Sequence, residues 1–396
     1  MASSEYRGPG IDLKPGRDGP VRKRRHPWIY SQAVAEVRPA ENAAELLPVR
    51  SAEGNLLGWG FSSPDSLIAV RMVGFAPHEP PVDWIERRIH AAQSLRARLR
   101  LDSDAMRLVN SEGDFIPGLV VDLYRDTAVV SPHIRGIELL TERIGSCLEA
   151  IFPGLRIFVK KDEHYARVEG LARDSGYLLG QGDGTAQITE GGVRLIVDFE
   201  RGQKTGYYLD QRENRSIISR CSAGRTVLNL FGYTGAVAIR AAAAGAARVV
   251  SVESSRKALE IARASVALNA NLVPTACEWV QEDVFSFLGQ DGCFDLIVAD
   301  PPPFARRRAE LEGALKGYLG LFQACFRMAA PDGLCFFFSC SAAVDKPTFR
   351  NVVAEAALRS GRKVRFMREL HADADHPVAA THPEGEYLKG WMVHAE

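Results

Sequence analysis

Over the C-terminal half of the chain, short continuously apolar runs alternate with segments of helical period. Val227–Leu230, Val249–Val252, Leu296–Ala299, Leu334–Ser339 and Val364–Met367 read as strands. Ala236–Ala244, Arg256–Asn269, Leu311–Met328 and Thr348–Leu358 read as the helices between them. Strands apolar on both faces and separated by helices predict an α/β architecture, a doubly wound and mostly parallel sheet covered on both sides. Val193–Asp198 is expected as a further strand, and Arg201–Arg215 as a polar, aromatic loop running into a helix.

The rest of the chain has a different rhythm. Val34–Val37, Leu46–Arg50, Leu56–Phe61 and Ile68–Val73 are short β-rich stretches broken by Pro, Gly, Asn and Ser. They predict a small all-β module without a carboxylate or nucleophile pattern, suited to binding. After the Pro77–Pro81 linker, Ile85, Ile89, Ala92, Leu95 and Leu99 recur at helical steps across Trp84–Leu101. Strands at Met106–Asn110, Gly118–Tyr124 and Thr127–Ser131, a helix at Ile137–Ile151 and a strand at Arg156–Lys160 follow. The expected division is therefore 1–77, a β-rich module; 78–191, a small α+β domain with no visible chemistry; and 192–396, the doubly wound domain.

A length of 396 residues agrees with two or three domains. No apolar run reaches the roughly 20 residues of a membrane span, and no apolar segment follows the basic N-terminal residues, so neither a membrane partner nor a secretory leader is expected. Seven cysteines without a Cys-x-x-Cys pair or clustered histidines argue against a disulfide framework and a metal site, and for a reducing cytoplasm. The formal charge is +0, so any nucleic-acid partner must be sought in local clusters. Arg22-Lys23-Arg24-Arg25 is followed at once by His26-Pro27-Trp28, and cations beside rings can grip phosphate and stack on bases. Arg24, Arg25 and Trp28 are accordingly expected to touch RNA.

The chemistry gathers at strand ends, where open α/β sheets bind ligands. Gly232 and Gly235 sit where the first strand turns into its helix, in a spacing that does not suit a dinucleotide pyrophosphate. Glu253 ends the next strand, placed for ribose hydroxyls, and Asp283-Val284 lies beyond Trp279-Val280, placed for an adenine amino group. Asn229, Phe231, Tyr233, Thr234, Gly235, Ser254 and Gln211 complete the expected cofactor corner, with Asp300 at its edge. Asp300-Pro301-Pro302 stiffens the following strand end, and Phe304 can stack on a planar substrate. Cys340 ends the strand after Phe336-Phe337-Phe338, so Ser339-Cys340-Ser341 is expected on the open rim beside Asp300. A thiolate adding to carbon 6 of cytosine makes carbon 5 nucleophilic enough to take a methyl group, and an acid at N3 absorbs the charge. Cys340 would be the nucleophile and Asp300 the N3 partner. Lys204, Tyr208, Arg212, Pro302 and Arg306 are the expected substrate contacts. A guanine-N7 methyltransferase, or a fold of this kind that binds RNA without catalysis, remains open on these residues.

Arg24-Arg25-His26-Pro27-Trp28, Lys204-Thr205-Gly206-Tyr207-Tyr208-Leu209-Asp210-Gln211-Arg212, Asn229-x-Phe231-x-Tyr233-Thr234-Gly235, Ser339-Cys340-Ser341, Ala374-Asp375-His376-Pro377 and Tyr387-Leu388-Lys389-Gly390 together carry a family resemblance. The chain resembles the bacterial 23S ribosomal RNA cytosine-5 methyltransferases that have an N-terminal PUA domain. The resemblance implies a PUA domain, a class I fold, S-adenosylmethionine as cofactor, ribosomal RNA of the large subunit as substrate, and compatibility with a homodimer. In one place the chain departs from it: Pro303 follows Asp-Pro-Pro where the family usually has lysine, leaving Arg306 or Arg307 to supply a cation.

Overall fold

The computed structural model describes residues 8–42, 44–272, 277–305 and 307–396. Its C-terminal part is built on seven strands, β1 (Thr226–Leu230), β2 (Arg248–Val252), β3 (Cys277–Val280), β4 (Phe294–Ala299), β5 (Ala329–Ser339), β6 (Val364–Leu370) and β7 (Lys389–Ala395). They lie in the order β3-β2-β1-β4-β5-β7-β6. All neighbours run parallel except β7, which is antiparallel to both β5 and β6. This is the mostly parallel, doubly wound sheet that the apolar runs predict.

The reason those runs are continuous is visible in the burial. Val227, Leu296, Val298, Phe336 and Phe338 point into one core, and Leu228, Leu230, Ile297, Ala299, Cys335 and Phe337 into the other. Helices cover both faces, so neither face of a strand has to be polar. Register then aligns the rim. Leu230 pairs with Ala299, and Ala299 with Phe337. The residues just past β1, β4 and β5 therefore emerge side by side.

Several expectations need correction. Val193–Asp198 does not join the sheet; it forms a two-stranded hairpin with Thr185–Glu190, so residue 192 falls inside the hairpin turn. Glu190, fully buried, ties that hairpin to the helices behind it through Arg215 and Arg240. The N-terminal module is not all-β. Its six-stranded sheet also includes Gly10–Leu13 and Trp28–Tyr30, and a helix spans Gly19–Arg24 with a proline in its first turn. The helix expected over Ile137–Ile151 is two, Arg135–Leu139 and Thr141–Ile151, meeting at Leu140. That from Trp84 ends at Arg96, whose buried guanidinium binds Asp114. The middle sheet gains Gly176–Leu179 as a fifth strand beside Arg156–Val159. Among the described residues no helix is long and apolar enough to cross a membrane.

Candidate active site

Asp300 leaves β4 next to the point where Cys340 leaves β5. Asp300 Oδ2 accepts a hydrogen bond from Gln211 Nε2 (2.8 Å), and Gln211 Oε1 accepts one from Asn214 Nδ2 (2.6 Å). Gln211, expected at the cofactor, is thus fixed as the partner of the aspartate. Burial, with Asp210's charge added, pushes the Asp300 carboxyl up to about 7. Gln211, Lys204 and Arg215 act in the opposite direction.

Cys340 is partly exposed, but its neighbours Ser339 and Ser341 are fully buried, so the tripeptide does not lie on the rim as a whole. The serines are polar because they hold the corner. Ser339 Oγ donates to Tyr318 OH (2.8 Å), and Tyr318 OH lies 2.8 Å from Ser341 Oγ. On the other side Lys389 pairs with Ser339 across β5 and β7, and its buried Nζ donates to the Ser341 carbonyl (3.0 Å). Cys340 is bracketed by these contacts. Burial, then the charges of Asp300 and Asp210, push its thiol up to about 11, while Lys204 favours the thiolate.

Lys204 is placed by a backbone in the left-handed region (φ 49). Its Nζ donates to Asp210 Oδ2 (3.1 Å) and lies 4.4 Å from the centre of the Tyr208 ring. Tyr387 OH also donates to Asp210 Oδ2. The loop is held from the middle sheet, where Asp122 Oδ2 accepts from the Thr205 hydroxyl. Lys204 therefore brings an amino group to the site although Pro303 does not.

The corner at β1, β2 and β3 fits S-adenosylmethionine. Phe231 (φ 58) and Tyr233 (φ 46) hold a tight loop at a cost in backbone strain that functional sites tolerate. Glu253 ends β2 with one oxygen accepting from Tyr233 N (2.9 Å) and the other from Ser255 N (2.8 Å), leaving lone pairs for hydroxyl donors. Asp283 is exposed and caps the short helix Val284–Phe287 through Ser286 N; Ser254 is exposed beside Glu253. Acceptors at adjacent strand ends are what a ribose and an adenine amino group require. The glycines at this turn are constrained by their neighbours. A Cβ on Gly232 would stand 2.3 Å from Ser251 Oγ, and one on Gly235 2.5 Å from Trp279, so close packing within the protein demands them. Asn229 and Thr234 are likewise buried supports, with Asn229 Nδ2 donating to Ser251 Oγ, and Val284 is buried beneath the corner.

Of the expected substrate contacts, Pro302 is exposed, and Phe304 is partly exposed with its ring 4.6 Å from that of Tyr318. Arg24 and Arg25 are exposed. Arg212 is not available: it is buried and donates to Asp373 and Asp375. Trp28 is also engaged, donating its indole N–H to Glu112 (2.7 Å) and packing on His382 at 4.3 Å. Arg306 lies outside the described residues. Reasoning from sequence missed Tyr318 and the roles of Asp210 and Lys389. The last two lie within the motifs quoted above, but Tyr318 sits in an ordinary amphipathic helix.

Residues 163–377 match the family model of S-adenosylmethionine-dependent methyltransferases, and residues 11–75 that of a PUA-like domain. The chain is 38% identical to ribosomal RNA large subunit methyltransferase I of Tolumonas auensis over 381 residues, 94% of this chain and 96% of the relative. The Klebsiella pneumoniae (strain 342) protein of the same name is 38% identical over 97% of both chains. SMU.776, solved as a complex with SAH, superposes with a TM-score of 0.82 at 22% identity, covering 97% of this chain and 99% of that one.

Proposed function

The chain belongs to the S-adenosylmethionine-dependent methyltransferases, in the ribosomal RNA large subunit methyltransferase I family, and from that premise we propose that it methylates carbon 5 of a cytosine in large-subunit ribosomal RNA through a bond between Cys340 and carbon 6. Glu253, Asp283 and the 231–235 loop would hold S-adenosylmethionine, which would supply an electrophilic methyl group. The chain's own residues do the rest. Cys340, ionised, adds to carbon 6 while the Asp300 carboxyl gives its proton to N3, leaving carbon 5 electron-rich. Once carbon 5 carries the methyl, a base takes the carbon 5 proton. The C5=C6 double bond re-forms, the S–C6 bond breaks, and N3 returns its proton to Asp300. Lys204, whose charge favours the thiolate, takes the place of the cation that Pro303 removes.

The observation that carries this reading is a partly open thiol beside a carboxyl held near 7, at the ends of adjacent strands. Cys340→Ala tests it. Methyl transfer to unmodified ribosomal RNA should fall on the order of a thousandfold or more, with S-adenosylmethionine binding retained. Nucleoside mass spectrometry should find 5-methylcytosine for the wild type. Normal turnover by Cys340→Ala, or methyl on guanine N7, rules the reading out.

A further inference from the structure

With Trp28 engaged, the exposed aromatic near the basic N-terminal cluster comes from a different part of the chain. A cleft of about 350 Å³ opens where the N-terminal module, the middle domain and the 379–381 loop meet; Arg25, Arg88, Glu112, Phe115 and Phe75 line it. Phe115 is 50% exposed and sits at φ 60, in the left-handed region, where a bulky side chain is rare. The Arg88 guanidinium lies 5.1 Å from its ring centre. Arg22, Lys23 and Arg24, in the last turn of the helix ahead of Arg25, are exposed alongside.

An open ring flanked by arginines is the arrangement on which unpaired bases stack, and arginines beside it hold the phosphates. Glu112 adds a hydrogen-bond acceptor at the wall. Its oxygens are oriented by Trp28 Nε1 (2.7 Å) and the Ser111 hydroxyl (2.6 Å), which suits the amino edge of a base.

We propose that this cleft binds one unpaired nucleotide of the RNA substrate, its base against Phe115 and its phosphates on Arg25 and Arg88. The inference rests on the RNA reading above and deepens it, since it gives the middle domain a part in recognition.

The test uses the full chain and an unmodified large-subunit ribosomal RNA transcript, with binding followed by fluorescence anisotropy and cofactor binding by calorimetry with SAH. Phe115→Ala and Arg88→Ala should each weaken RNA affinity about tenfold, with SAH affinity unchanged. Phe115→Trp should bind as the wild type does. Arg88→Ala should also reduce the salt dependence by about one counterion. RNA affinity unchanged in both alanine variants, with the wild type still methylating, overturns the cleft and leaves the reaction standing. A wild type that neither binds nor methylates the transcript overturns both.

Discussion

Two titrations run against each other at Cys340 and Asp300. The proposed addition step needs the thiol ionised and the carboxyl protonated, yet burial holds them at about 11 and about 7 respectively. Below 7 the thiolate fraction grows tenfold per pH unit while Asp300 stays protonated. Between 7 and 11 that gain is cancelled by the loss of the Asp300 proton. The predicted profile of kcat/KM therefore rises to about 7 and then levels. Asp300→Asn removes the second titration, and its slower rate should keep climbing above pH 7; the same plateau in the variant would contradict the assignment. The position of both residues at adjacent strand ends was legible because each follows an apolar run. The roles of Gly232 and Gly235 were not. Their constraint comes from Ser251 and Trp279, which lie next to them only after folding.

The elements carrying these groups are held by polar contacts that no local pattern reveals. Tyr318 faces the end of β5 from the helix Leu311–Met328 and satisfies two buried serines. Tyr318→Phe leaves those hydroxyls short of a partner, so it should cost about 1–3 kcal/mol in urea unfolding. It should also slow the thiol step without altering S-adenosylmethionine affinity. An unchanged unfolding midpoint would contradict the bracket. Strands β1, β2, β4 and β5 could be read directly because both faces are buried. β7 could not: Lys389, Gly390 and His394 interrupt its apolar pattern, yet it supplies the amine behind Cys340. The hairpin at Thr185–Glu190 was missed for a related reason, since its outward residues are polar and its fixing ion pairs come from distant helices.

At the scale of the molecule, the middle domain takes part in building the site. Asp375 Oδ2 accepts from Arg107 N (2.9 Å) on the middle sheet and from Arg212 Nη2 (2.6 Å) behind the site, and Arg96 Nη2 reaches the Asp375 carbonyl (2.8 Å). Asp375→Ala would take one of two carboxylates from buried Arg212, which keeps Asp373, and would leave the Arg107 N–H without its acceptor, so a loss of about 1–3 kcal/mol is expected in urea unfolding; an unchanged unfolding midpoint would contradict the role given to this joint. Such links join residues far apart in the chain, which is why this fastening could not be read from local patterns. The central claim concerns a single bond, and it can be trapped. With S-adenosylmethionine and ribosomal RNA containing 5-fluorocytosine, the carbon 5 substituent cannot leave as a proton. Mass spectrometry of the digested complex should find a methylated fluorocytosine linked to the peptide that contains Cys340. Methyl transfer to ordinary RNA with no such linked peptide would contradict the account.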